Sequence, residues 1–186
     1  EKMGQRALPQ GEIYFDNVSI STDWLIAPVE QYQQVARGQL TEANGGMGMM
    51  FAGLARAAFE EALNYTHERK QGGIPIIGHA GVRAKLLHMF RKVEAARALA
   101  RRNVEYNMTA QQPELLGSIS SKITSTQTAF EVASEALQLF GGNGMTLEYP
   151  IEKMLRDARA AMIEDGCNDV LAIKGGSELA QDYLHS

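Results

Sequence analysis

Two carboxylates followed by a glycine, Glu164-Asp165-Gly166, are the residues of this chain best suited to move a proton. They follow a short stretch of helical spacing that carries Lys153, Arg156 and Arg159. A carboxylate at a helix end can act as a general base if it is held close to the proton and an apolar setting weakens its acidity. Upstream, Gln138 and Phe140 lead into Gly141-Gly142-Asn143-Gly144. Glycines let the main chain take positive φ and come close to a bound molecule. A third group, Glu68 to Gly73, sets Arg69, Lys70 and Gln71 before a glycine pair. A planar guanidinium beside an ammonium is chemistry suited to phosphate oxygens.

Helices must position these groups. From about Ala43, Met47, Met50, Phe51, Leu54, Ala55, Ala58, Ala62 and Tyr65 recur at spacings of three and four, which predicts a helix ending near Arg69-Lys70. A second helix is predicted from about His79 to Met108, with Val82, Leu86, Met89, Val93, Ala96, Ala100 and Val104 as its stripe. Its other face is basic, and in an acidic chain this suits a solvated surface better than a phosphate-binding one. Pro113 starts a third helix, striped by Leu116, Ile119, Ile123, Phe130, Ala133, Leu137 and Phe140, with Thr126 in the polar gap. A fourth is expected over about Pro150–Ala161, since proline suits a first helical position. A fifth begins near Asn168, and Gly175-Gly176 is a potential break. Before all of these, Ile13, Phe15 and Val18 alternate with polar neighbours and predict a strand.

Composition narrows the classes. Hydrophobic residues are 45% and charged residues 22% of the chain, ordinary globular usage. A net charge of −4 argues against a dedicated nucleic-acid binder. The single cysteine, Cys167, excludes an internal disulfide and suits a reducing compartment, so a cytoplasmic protein is expected. No apolar run approaches the roughly 20 residues of a spanning helix, and no membrane or metal site is expected.

The order Gln138, Phe140-Gly141-Gly142, Gly144, then Glu148-Tyr149-Pro150, Glu152-Lys153 and Arg156-Asp157 resembles the acyl-CoA dehydrogenases. This flavoprotein family carries a QxFGGxG loop, an EYPxEKxxRD helix and a catalytic carboxylate before a glycine. The opening Met3-Gly4-Gln5-Arg6 is similar to the family's MGQR turn, so the likeness runs over essentially the whole chain. It implies an all-α fold, an up-down helical bundle with a short N-terminal β segment. Residues 1–30 would be the tail of an upstream β domain, and residues 31–186 the C-terminal bundle.

The resemblance also implies roles. Arg69 matches an arginine that meets the FAD pyrophosphate, often from a neighbouring subunit, with Lys70, Gln71, His79 and Ala80 around it. Gln138, Gly141 and Gly142 match the segment facing the adenosine end of FAD. Asp165 takes the place of the base and Gly166 that of a backbone contact to the substrate carbonyl. Glu164, where the family is usually aromatic, can serve as base instead or raise the pKa of Asp165. Cys167 and Asp169 stand at flavin-facing positions where the family reads T-x-Q, and Asn44 stands where many members carry an arginine. Gly72 replaces the phenylalanine of the ERKxFG turn. The implied activity is FAD-dependent α,β-dehydrogenation of an acyl-CoA thioester. An electron-transferring flavoprotein would be the acceptor, and the protein a dimer or tetramer of identical subunits. A flavin oxidase or monooxygenase of the same superfamily, or a non-catalytic helical assembly domain, are the alternatives.

Overall fold

The computed structural model describes residues 1–184. Among the described residues five α-helices account for most of the chain: α1 (Tyr32–Glu68), α2 (Ala80–Thr109), α3 (Leu115–Phe140), α4 (Ile151–Ala161) and α5 (Asn168–Leu184). Two short strands, β1 (Lys70–Gln71) and β2 (Ile74–Pro75), form an antiparallel hairpin between α1 and α2. The result is the helical bundle that the sequence implies. Among the described residues no helix is long and apolar enough to cross a membrane.

α3 is the central element and packs against α1, α2, α4 and α5. Its inward face is not the large apolar stripe expected from spacing. Leu116, Ile123, Phe130 and Leu137 are only half-buried, whereas Leu115, Ile119, Ala129, Val132, Ala133, Ala136 and Phe140 are buried. Small and polar side chains share that interior: Ser118, Ser121, Lys122, Ser125, Thr126 and Thr128. Small side chains are what let α1 and α3 approach so closely. A Cβ added at Gly48 of α1 would lie 2.1 Å from Ser121 Oγ and 3.0 Å from its Cβ, so only glycine fits the crossing.

α1 begins at Tyr32, about eleven residues before the expected start. Its first turns are largely solvent-exposed, so no apolar period marked them, although Gln33, Gln34, Ala36, Arg37 and Leu40 are good helix formers. α5 runs unbroken through Gly175-Gly176. Gly175 faces Leu116 and Ile119 of α3, where an added Cβ would already be in van der Waals contact.

The strand expected at Ile13–Val18 does not form. Among the described residues β structure is confined to the 70–75 hairpin. Ile13, Tyr14, Phe15 and Val18 all lie exposed, because an alternating segment without a neighbouring strand has nothing to complete its ladder or cover its apolar face.

Ion pairs take up part of the basic face of α2. Lys85 pairs with Glu135 and Lys92 with Glu131, both at 2.6 Å, and Arg102 pairs with Glu114 at 3.0 Å. The solvated-face reading of that helix therefore agrees with the geometry.

Candidate active site

The arginine turn is built from backbone outward. The last turn of α1 fixes Arg69 N on Tyr65 O at 2.9 Å, and Ile76 N donates to Arg69 O at 2.8 Å. Gly72 and Gly73, at φ of 63° and 83°, form the two-residue loop between β1 and β2. Two consecutive left-handed residues give the hairpin turn that matches strand twist, so glycine at 72 serves the turn where the family's phenylalanine would pack. His79 Nε2 lies 3.1 Å from the Gln71 carbonyl oxygen and ties the hairpin to the start of α2. Arg69, Lys70, Gln71, His79 and Ala80 are all exposed.

The glycine turn sits beside it. α3 ends on Gly141, φ 60°, and a 3-10 turn covers Gly141–Met145. Tyr65 connects the two segments: its ring stacks on Phe140 with centroids 4.0 Å apart, and Tyr149 meets both rings edge-on. The Tyr65 hydroxyl donates to Phe140 O at 3.3 Å and accepts from Asn143 Nδ2 at 3.0 Å. Gln71, Gly72, His79 and Gln138 consequently line one open cleft of about 560 Å³, floored by Ile76 and Val82. Amide side chains and an imidazole around the cleft, with the Arg69 and Lys70 cations on the adjoining turn, form a donor set that fits an anionic, hydrogen-bonding cofactor.

The carboxylates lie in the loop between α4 and α5. Ile163 N and Glu164 N still bond to Ala160 O, and Asn168 N closes the loop on Met162 O at 3.0 Å. Between these ties the chain reverses through Asp165 at φ 50° and Gly166 at φ 96°. A non-glycine residue held left-handed costs about 1–3 kcal/mol and persists only where its surroundings impose it.

The two carboxylates are not equivalent. Glu164 is half-buried and accepts a hydrogen bond from Gln5 Nε2. Asp165 is exposed and has no such partner among the described residues. Apolar cover for it does not come from the described part of this chain. Gln5 belongs to the Met3-Gly4-Gln5-Arg6 turn, which is docked on α4: Gln5 N donates to the Asp157 carboxylate, and Arg156 Nη1 donates to Met3 O. A Cβ at Gly4 would come within 2.2 Å of Arg156 O, so the turn rests directly on helix backbone. Two motifs about 150 residues apart in sequence thus form a single contact. The Arg156 guanidinium, bonded to Glu152 at 2.7 Å, holds the Glu152 carboxyl below the usual carboxylate range.

One residue of this region escaped the sequence reading. Lys122 on α3 is fully buried, and its ammonium donates to Gly166 O at 2.6 Å and to Asn168 Oδ1 at 2.9 Å. Burial lowers its pKa from the ordinary lysine value, while Cys167, Asp165 and Glu164 act in the opposite direction. The signal was available: Lys122 stands three residues after Ile119 and four before Thr126, in register with the buried face. Cys167 is a half-buried free thiol, and Asp169 is exposed on the first turn of α5. Neither lines the Gln138 cleft. Asn44 is wholly buried and donates to Leu40 O at 2.8 Å, so it faces the bundle interior rather than a ligand.

A helical bundle of this kind is also what the comparisons describe. Residues 33–178 match the family model for the acyl-CoA dehydrogenase C-terminal domain, and the chain belongs to that family. A probable acyl-CoA dehydrogenase of Mycobacterium tuberculosis is 34% identical over 174 residues, covering 91% of this chain and 43% of the relative. A cyclohexane-1-carbonyl-CoA dehydrogenase of Geobacter metallireducens is 28% identical over 182 residues, covering 98% of this chain and 48% of the relative. Among solved structures, an acyl-CoA dehydrogenase of Slackia heliotrinireducens superposes with a TM-score of 0.89 at 26% identity, over 100% of this chain and 49% of that one. The chain therefore spans less than half the length of these relatives.

Proposed function

We propose that the protein carrying this chain catalyses FAD-dependent α,β-dehydrogenation of an acyl-CoA thioester, with Asp165 as the base that removes the α-proton. One observation carries the choice of Asp165: of the two adjacent carboxylates, it is the one left exposed while Gln5 occupies Glu164. FAD, when bound, supplies the acceptor for the β-hydride. The chain's own part is to hold and to orient. Arg69 and Lys70 neutralise phosphate charge, and Gln71, His79, Ala80, Gln138, Gly141 and Gly142 frame the cofactor along the cleft. Gly166 offers backbone contact to the thioester carbonyl, and Cys167 and Asp169 face the flavin end. Residues 1–30, with their exposed apolar side chains, complete an upstream β domain that also covers Asp165. Two subunits share the cofactor site, an electron-transferring flavoprotein takes the electrons, and the protein works in the cytoplasm.

The test is Asp165→Asn in the full-length protein. We expect loss of turnover with full FAD content retained. Unchanged turnover transfers the role to Glu164, whose Glu164→Gln variant is made alongside. Preference for O₂ over an electron-transferring flavoprotein would convert the reading to an oxidase. A purified protein without flavin absorbance would convert it to an assembly domain.

A further inference from the structure

We propose that Lys122 is a positioning residue for the carboxylate loop: its buried ammonium, bonded to the Gly166 carbonyl and to Asn168, fixes the left-handed Asp165–Gly166 pair and with it the place of the Asp165 carboxylate. The proposal rests on Asp165 acting as the base.

Packing alone does not explain a lysine here. Removing an ammonium from water is costly, and an apolar side chain of equal length would fill the same volume without that cost. Lys122 has no side-chain accessibility at all, yet its two bonds go to a carbonyl oxygen and an amide oxygen rather than to a carboxylate. What the lysine gains is a grip on the loop from beneath. Asn168 is the second half of that grip. Its Nδ2 donates to Thr126 Oγ1 at 3.1 Å, Thr126 Oγ1 donates back to Lys122 O at 2.9 Å, and Asn168 N bonds to Met162 O. One turn of α3 therefore holds both the glycine after Asp165 and the first residue of α5.

The loop needs such a hold. Asp165 and Gly166 both have positive φ, and glycine is the residue that relaxes most freely when a constraint is lifted. Gln5 restrains the other side of the loop through Glu164 and leaves Gly166 untouched. Loss of the Lys122 bond therefore moves the Asp165–Gly166 peptide more than it moves α4 or α5. About 1 Å of displacement at a base can cost about a hundredfold in rate.

The experiment uses the full-length enzyme and Lys122→Met, which keeps the length of the side chain and removes the ammonium. Flavin absorbance, thermal unfolding, flavin reduction by saturating acyl-CoA and hydrogen exchange at Asn168 are measured together. We expect full FAD content, a reduction rate constant lowered by about a hundredfold, and a substrate Kd changed by less than about threefold. The Asn168 amide should exchange at least about tenfold faster, with the amides of α3 unchanged. An unchanged reduction rate, an unchanged Asn168 amide, or uniform acceleration across α3 with loss of FAD overturns the proposal. If Lys122→Met does not fold, Asn168→Ala decides, since it removes one of the two acceptors of the ammonium: flavin reduction as fast as the parent's overturns the proposal, and slowed reduction with full FAD content supports it. If the unaltered enzyme reduces no flavin with any acyl-CoA, the dehydrogenase reading fails, and the exchange data judge the clamp separately.

Discussion

Replacing Tyr65 by phenylalanine removes one oxygen atom from the joint between the arginine hairpin and the glycine turn. That oxygen donates to Phe140 O at 3.3 Å and accepts from Asn143 Nδ2 at 3.0 Å. A net intramolecular hydrogen bond contributes about 0.5–1.5 kcal/mol. The longer of the two falls at the weak end, and Asn143 Nδ2 keeps a second contact, Tyr149 Oη at 3.5 Å. The sum is about 1–2 kcal/mol. Tyr65→Ala also removes a buried ring and its stacking on Phe140, and should cost about 3–5 kcal/mol. In thermal unfolding, each kcal/mol corresponds to roughly 2–4 °C for a domain of this size. A cycle with Asn143→Ala isolates the hydroxyl: the two substitutions together should cost about 1 kcal/mol less than the sum of the singles. Flavin content, followed by absorbance, should fall with Tyr65→Ala before it falls with Tyr65→Phe. Strict additivity of Tyr65→Phe and Asn143→Ala, or a Tyr65→Phe protein as stable as the parent, would falsify the idea that the hydroxyl joins the two segments.

Other outcomes follow from the same structure. Gly48→Ala places a methyl against Ser121 and should destabilise by about 1–3 kcal/mol through overpacking, even though alanine favours helix by about 1 kcal/mol. Adding Ser121→Gly should recover most of this loss, and a neutral Gly48→Ala would show that the α1–α3 crossing is looser than described. Acid unfolding provides a further measure. The carboxyls of Glu131, Glu152 and Glu178 are held low chiefly by hydrogen bonds from Lys92, Arg156 and Arg37. Their folded pKa values lie below the unfolded value of about 4.3, so their contribution is present above that pH and is lost as pH falls through the folded values. Urea midpoints measured down the acid range should decline there, and Lys92→Met should shallow the decline. Identical curves for parent and variant would remove that pair from the account.

Much of the bundle was legible because burial imposes a period. The stripe Leu86, Met89, Val93, Ala96 and Ala100 located α2, and Gly141 at positive φ ended α3 where a glycine run follows an apolar helix. The inward face of α3 departs from the stripe of large apolar residues that spacing predicts. The actual interior there is crowded by four neighbouring helices and accepts serine, threonine and one lysine. The start of α1 carried no period because its surface is exposed. Alternation at Ile13–Val18 was real as a pattern, but a strand is a relation between segments, and no described segment of this chain lies beside it. Within the site, residue types offered a cation pair and a carboxylate pair, and it is the family resemblance that singles out Arg69, Gln138 and Asp165 for the roles proposed here. Spacing could not reveal that Gln5 would engage Glu164, since nothing local in a sequence encodes a contact across 159 positions.

That contact sets an order of assembly. Helices and the turns between neighbouring ones close short loops and form early, whereas pairing Gln5 with Glu164 requires closing almost the entire chain, and loop-closure entropy postpones it. In refolding, helical circular dichroism should therefore recover ahead of the final seating of the carboxylate loop. Within that interval the five helices would be formed while Glu164 still lacked its anchor.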